Sequence, residues 1–266
     1  MVDPTSGANN KNTLVNWLRG TDSLDEDIDS NLTEARPSLH GDVLHSRPVA
    51  LNFGTDASPQ VVVFYGANDD VFRAINGNRS NAIGSVAAGA ELWGFVPPEF
   101  YTYNAQQTTA TPSTSVPSSI KRIYDNSVAV NFIGLANALP KPTAMDGVVS
   151  AYNDGTTQYV YGTLRRGGRS IYAFTANLSG GTLTMSLAWR AGCPHLSDDT
   201  GCTTNFSGIG QTWSKPVITK VPSASYPVML MGGGYDNCED ASLNNSCGSS
   251  TKGTGIYVLD ATTGAF

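Results

Sequence analysis

The 266-residue sequence predicts an all-β fold: a modified β-propeller, about three blades of a larger ring, behind one short N-terminal helix. Three observations lead there. Apolar runs of strand length end at glycine and give way to polar turns. The run–turn–run unit recurs three times along the chain. A tryptophan strand closes the first two units, ELWGF with Trp93 and LAWRA with Trp189.

Residues 1–12 read as a flexible lead. NTLVNWLRGTD follows, with Leu14, Trp17 and Leu18 at helical spacing: a short amphipathic helix stopped near Gly20. The acidic stretch TDSLDEDIDSN comes next, so residues 1–40 form a lead and residues 41–266 the partial propeller. The first meander is DVLHSRPVALNFG, QVVVFYGAN, DVFRAING and AELWGFVP, with Pro48 marking an edge or a bulge. The second is DGVVSAYND, TQYVYGTLRRGGRSIYAFTANL and LTMSLAWRAG. The third is SKPVITKV, YPVMLMGGGYD and GTGIYVLDATTGAF, where Phe266 stands at the place of a third tryptophan-type strand. Inner strands of a propeller lie between neighbouring blades, so their apolar runs are continuous rather than alternating. Gly66 and Gly232 allow tight backbone turns. A β-sandwich also has many short strands, but it carries no repeat signature.

An insertion at about 101–140 separates the first two meanders. Its middle is rich in Thr, Ser, Pro and Gln and reads as a mobile loop. The stretch between Phe100 and Lys121 is expected to contact a partner.

Composition narrows the function classes. With 16 Lys plus Arg against 22 Asp plus Glu, the net charge is −6 and no basic block exists, which disfavours a nucleic-acid or anionic-membrane surface. No apolar run approaches the roughly 20 residues that span a bilayer. The opening MVDPTSGANNKN has no signal-peptide core. The cysteines nevertheless argue for a domain of an exported precursor. CPHLSDDTGC (Cys193, Cys202) and CEDASLNNSC (Cys238, Cys247) are spaced poorly for zinc and well for two local disulfides, although cross-pairing of the two loops stays open.

At HGDVLHSRPVALNFG, VVVFYGANDDVFRAING and ELWGFVPPEF the chain resembles the C-terminal domain of the PilY/PilC-type proteins, the type IV pilus assembly and tip-adhesion factors of Gram-negative bacteria. VNWLRGTD upstream, and GGGYDNCED and GTGIYVLDATTG downstream, follow in the same order, so the resemblance runs from about Asn12 to Phe266. It implies a secreted, modified β-propeller at the pilus tip, with minor pilins and host or abiotic surfaces as partners. The roles it implies are assembly, retraction control, adhesion and twitching motility; it implies no active site. The family's Asn-Asp-Gly turn is Asn68-Asp69-Asp70 here, and its LHAF-like strand is FRAI, which bears on turn geometry. The family's EF-hand-like calcium loop falls after the YVLDATTG strand, beyond Phe266. Calcium control is therefore not carried onto these residues, and no cofactor is expected within the chain. The rival class is an enzyme: pyrroloquinoline-quinone dehydrogenases are propellers, and IYVLDATTG looks like theirs. They need a complete ring and commonly an adjacent Cys-Cys pair, neither of which is present. A secreted carbohydrate- or peptide-binding propeller is a further alternative.

The candidate sites are few. LDEDIDSN sets Asp25, Asp27, Asp29 and Asn31 at alternate positions, as a calcium loop opens, but Ser30 and Arg36 stand where glycine and glutamate belong, and a solvated linker is the plainer reading. Asp236, Asn237, Glu239 and Asp240 in YDNCED make a second acidic cluster that could take calcium. Asp42, His45 and Ser46 suggest a triad. Adjacent strand residues point to opposite faces, so a structural role is expected. His40 and His195 read as solvated loop residues. Arg165, Arg166 and Arg169 in LRRGGR read as a solvated hairpin tip.

Overall fold

In the computed structural model the described residues are 10–102, 119–124, 130–131, 139–140, 143–196, 198–239 and 247–266. Helix α1 (Asn10–Leu18) precedes a first antiparallel sheet of β1 (Val49–Asn52), β2 (Val61–Gly66), β3 (Phe72–Asn76) and β4 (Glu91–Phe95), joined in chain order. Short helices α2 (Pro98–Thr102) and α3 (Ser119–Tyr124) and a two-residue parallel pair, β5 (Val130–Asn131) with β6 (Leu139–Pro140), follow. The second sheet is β7 (Ser150–Asn153), β8 (Gln158–Thr163), β9 (Arg169–Ser179) and β10 (Thr182–Cys193). The third has three strands, β11 (Val217–Lys220), β12 (Pro227–Gly232) and β13 (Ile256–Asp260). The all-β reading, the N-terminal helix and the three meanders therefore hold. The described sheets do not close on themselves. Of the long first strand expected over DVLHSRPVALNFG, only Val49–Asn52 pairs, and the residues before it form a leading segment that ends at Pro48. Most of the 101–140 insertion lies outside the described residues. Its Ser119–Tyr124 stretch is helical, with Ile120 buried against α1.

The sheets stack in chain order around two cores. In the first core Phe64, Phe72 and Ala74 of the first sheet meet Tyr172, Phe174 and Ala176 of the second. Phe174 stacks on Phe72 at 5.8 Å and takes the edge of Trp93 at 5.1 Å. Pairs of this geometry add about 0.5–1.5 kcal/mol each beyond area burial. In the second core Tyr161, Ile171, Ala173 and Trp189 meet Met229, Met231, Tyr257 and Leu259 of the third sheet. Among the described residues only the middle sheet has a sheet packed on both faces. Hence β9 is buried continuously from Arg169 to Phe174, whereas β2 alternates between buried and half-buried positions.

Both tryptophan strands share one device. Trp93 pairs with Ala74, and Glu91 with Ile75, so Leu92 is bulged out just before the tryptophan. Trp189 pairs with Ala173, and Leu187 with Phe174, so Ala188 is bulged in the same place. The extra residue bends the strand. Trp93 then packs at the first sheet junction and Trp189 at the second, where Trp189 Nε1 donates to the Ala261 carbonyl at 3.0 Å.

Candidate functional site

The leading segments of the three sheets carry most of the distinctive polar chemistry. HSRPV and WSKPV occupy matching places, and each serine holds its own sheet's glycine. Gly66 N–H donates to Ser46 Oγ at 2.8 Å, and Gly232 N–H donates to Ser214 Oγ at 3.0 Å. Gly66 must be glycine for a second reason: a Cβ there would lie 1.8 Å from the Met145 carbonyl oxygen. In the middle sheet the segment reads MDGVV, and Asp146 replaces the serine. Its buried carboxylate accepts from His45 N–H at 3.2 Å and faces His45 Nδ1 at 2.6 Å and Arg165 at 3.3 Å. Arg165 in turn lies 4.0 Å over the Trp213 ring, so one row joins all three sheets. His45 turns to Asp146 and Ser46 to Gly66, so the two side chains serve different ties at the sheet junction.

The Asn68-Asp69-Asp70 turn is built of ties. Asp69 makes a buried bidentate pair with Arg73 at 2.8 and 2.7 Å and accepts from Gly41 N–H at 2.9 Å. Arg73 also donates to Glu91 at 3.1 Å. Burial opposes the Arg73 charge, but Asp69 and Glu91 raise its pKa. Asp70 sits at φ +69°, the left-handed region where glycine is at ease, and its carboxylate accepts from Ser119 Oγ at 2.8 Å. A tie to Ser119, 49 residues along the chain, thus accompanies a conformation that is unfavourable for aspartate.

Glu99 in FVPPEF is buried and accepts from three side chains of the second sheet: Tyr172 Oη, Ser170 Oγ at 2.7 Å and Arg190 at 2.8 Å. Burial and the Glu99 charge push the Tyr172 phenol far up, so it stays a donor.

Arg169 departs most from expectation. It is not at a solvated tip but 1% exposed. Its guanidinium donates to the carbonyls of Ile209 at 2.7 Å, His195 at 3.0 Å, Asp198 at 3.3 Å and Ser207 at 2.7 Å, and to Asp199 at 2.8 Å. It therefore organises the loop closed by the Cys193–Cys202 disulfide. His195 is likewise buried rather than solvated, and burial lowers its pKa. Asp199 is shared with Lys252 at 2.8 Å. Burial would raise its carboxyl, but Lys252 and Arg169 hold it below the usual range. The second disulfide is Cys238–Cys247, so both pairings are local. Asp236 next to it is a loop organiser, accepting from the backbone of Cys238, Thr251 and Lys252 at 3.0–3.2 Å. Burial opposes its charge, yet these amides lower its pKa. Glu239 does not join it in a carboxylate cluster among the described residues, and Asp240 lies outside them.

The acidic lead is a folded loop. Asp22 is fully buried and receives Glu26 N–H, and Arg36 lies 3.9 Å over the Trp17 ring. Asp25, Asp27 and Asp29 bring carboxylate oxygens within 4.8 Å of one another, and Asp27 is also grouped with Asp22 and Glu34 in the same way. Desolvation together with the neighbouring Asp29 and Asp27 pushes the Glu34 carboxyl up. Asn31 Oδ1 accepts from Thr33 N–H and Oγ1. Two sets of carboxylates thus meet at Asp27, Asp25 with Asp29 on one side and Asp22 with Glu34 on the other.

No family model matches the chain. A type IV pilus biogenesis factor PilY1 homolog of Xylella fastidiosa is 23% identical over 254 residues, covering 86% of this chain and 17% of that protein. The chain is similar to PilY1-type pilus biogenesis factors. The crystal structure of the Pseudomonas aeruginosa PilY1 C-terminal domain matches with 16% identity and a TM-score of 0.40, covering 77% of this chain and 29% of that one. The chain thus spans less than a third of either PilY1 relative. Among the described residues no helix is long and apolar enough to cross a membrane.

Arg169 missed its place in the sequence reading because its partners lie 26–40 residues away and are mostly carbonyls, which leave no sequence signal. Replacing it by methionine leaves several buried carbonyls without a donor, while Asp199 keeps Lys252. Arg169→Met is expected to cost at least about 1–3 kcal/mol in urea unfolding and to speed reduction of Cys193–Cys202 by mild thiol.

Proposed function

We propose that this chain is a non-enzymatic binding domain of the type IV pilus system, part of a propeller that works in pilus biogenesis, tip adhesion and retraction control. Its expected partners are minor pilins and a host or abiotic surface. Its expected location is the periplasm, the outer-membrane surface or the pilus tip. One observation carries the preference for binding over catalysis. The conspicuous ionisable groups, Asp69, Arg73, Glu99, Asp146, Arg169 and Asp236, are all engaged in ties that hold sheets and loops together. Recognition then falls to the loops that this frame displays. The similarity to a PilY1 homolog supplies the pilus context. In the insertion, Ser119 and Ile120 anchor to the chain's own core, so its contact with a partner falls to the remainder.

A pull-down of the oxidised domain against the minor pilins of a type IV pilus tip tests this. Retention of at least one minor pilin is expected. Failure to retain any, with the fold verified by circular dichroism, contradicts the pilin-docking reading.

A second reading concerns calcium. The carboxylate oxygens of Asp25, Asp27 and Asp29, all within 4.8 Å of one another, support a cation site in the lead. Calorimetric titration with calcium chloride is expected to give saturable binding that Asp27→Asn removes. Absence of heat and of any thermal shift in the wild-type protein would count against it.

A further inference from the structure

The loop that follows β10 is closed at its base and turned inward at its middle. The Cys193–Cys202 disulfide holds the base, together with Thr203 N–H, which donates to the Gly192 carbonyl at 2.8 Å. Asp199 and Thr200 stand in solvent, whereas His195 is 3% exposed and Leu196 1%. Four charged groups face the His195 ring: Asp198 on the same loop, Glu99 on α2, Arg169 on β9 and Arg190 on β10. Two are acids and two are bases, so the surroundings balance while the imidazole is neutral. Both guanidiniums are already paired, Arg190 with Glu99 at 2.8 Å and Arg169 with Asp199 at 2.8 Å. Glu99 also accepts from Ser170 and Tyr172. A proton on His195 therefore adds a charge that the cluster does not neutralise, in a place shielded from water.

The same cluster holds the loop shut. Arg169 Nη1 donates to the carbonyls of His195 at 3.0 Å and Asp198 at 3.3 Å. One guanidinium thus binds the loop's backbone and repels a charged imidazole on it. Burial is the largest influence on the ring and lowers its pKa; Asp198 and Glu99 act against it, and Arg169 and Arg190 with it. The closed loop is therefore at full strength above the ordinary histidine value of about 6.5 and weakens as the pH falls below it. The base does not titrate in this range, because a disulfide and a backbone hydrogen bond carry no acid group.

We propose that this loop is an acid-operated flap: protonation of His195 lifts the backbone around it off Arg169, on a base fixed by the Cys193–Cys202 disulfide, and turns Leu196 out to solvent. The flap offers in mild acid a surface that is hidden at neutral pH, and the disulfide keeps the opening local and reversible. His40 and His45 stand on the leading segment of the first sheet, so the flap has a titrating group of its own. This inference does not depend on the pilus reading.

Amide exchange on the intact, oxidised protein, corrected for the chemical exchange rate, reads the flap through Cys202 N–H, which donates to the Asp199 carbonyl at 3.2 Å. Its opening constant is expected to rise on the order of tenfold per pH unit below about 6.5, until the ring in the closed loop is itself protonated. The amides of β9 are expected to keep their protection over the same range. The His195 ring, followed by its own NMR signal, is expected to titrate below the ordinary value. His195→Gln is expected to make the Cys202 opening constant independent of pH while His40 and His45 remain. A wild-type ring that titrates at or above about 6.5 overturns the proposal, as does a wild-type Cys202 opening constant that does not change with pH. Opening that β9 shares in full, or a pH dependence that His195→Gln retains, overturns it too.

Discussion

A buried carboxylate must be met by donors or the fold cannot hold it. Glu99 is that group here. It follows directly on the first sheet, through FVPP, and its partners Ser170, Tyr172 and Arg190 stand on β9 and β10 of the second, 71–91 residues further along. The bond set therefore fixes where the first sheet ends relative to where the second begins. The aromatic junction of Phe72, Trp93 and Phe174 then closes within that geometry. Apolar packing supplies most of the favourable energy. The polar tie selects one arrangement of sheets that would otherwise be free to slide.

The same logic repeats down the stack. Asp146 takes the serine's place in the middle leading segment and reaches sideways to His45 and Arg165, while Ser46 and Ser214 each hold their own sheet. Arg169 does for the disulfide loop what Glu99 does for the sheets: one buried charge gathers carbonyls that the loop could not satisfy by itself. The disulfide closes the loop and Arg169 shapes it. A frame so tied at its leading end leaves the outer loops as the places where another molecule can be met.

The sequence exposed what is local and periodic. Strand runs, the terminal glycines, Trp93 and Trp189, and the nine-residue cysteine spacing all signal through neighbours in the chain, and each maps onto an observed element. The partners of Glu99, Arg169 and Asp146 are remote or are backbone carbonyls, so nothing near them in the sequence announces their roles. Arg169 and His195 sat among Gly, Asp and Ser and looked like loop residues for that reason. One signal was there to be read: HSRPV and WSKPV repeat, and MDGVV breaks the repeat at its serine. The alternate-aspartate pattern located an acidic loop, but only chain folding brings Asp22 and Glu34, five and seven residues from Asp27, to its carboxylate.

The central claim is that Glu99 couples the first two sheets into one cooperative unit. Native-state amide exchange on Glu99→Ala, compared with wild type, tests it most directly. The account predicts that the opening free energies of β3 and β9 fall together, by about 3–5 kcal/mol, because the buried donors of β9 and β10 lose their acceptor. A change confined to α2, with β3 and β9 unaltered, would contradict it.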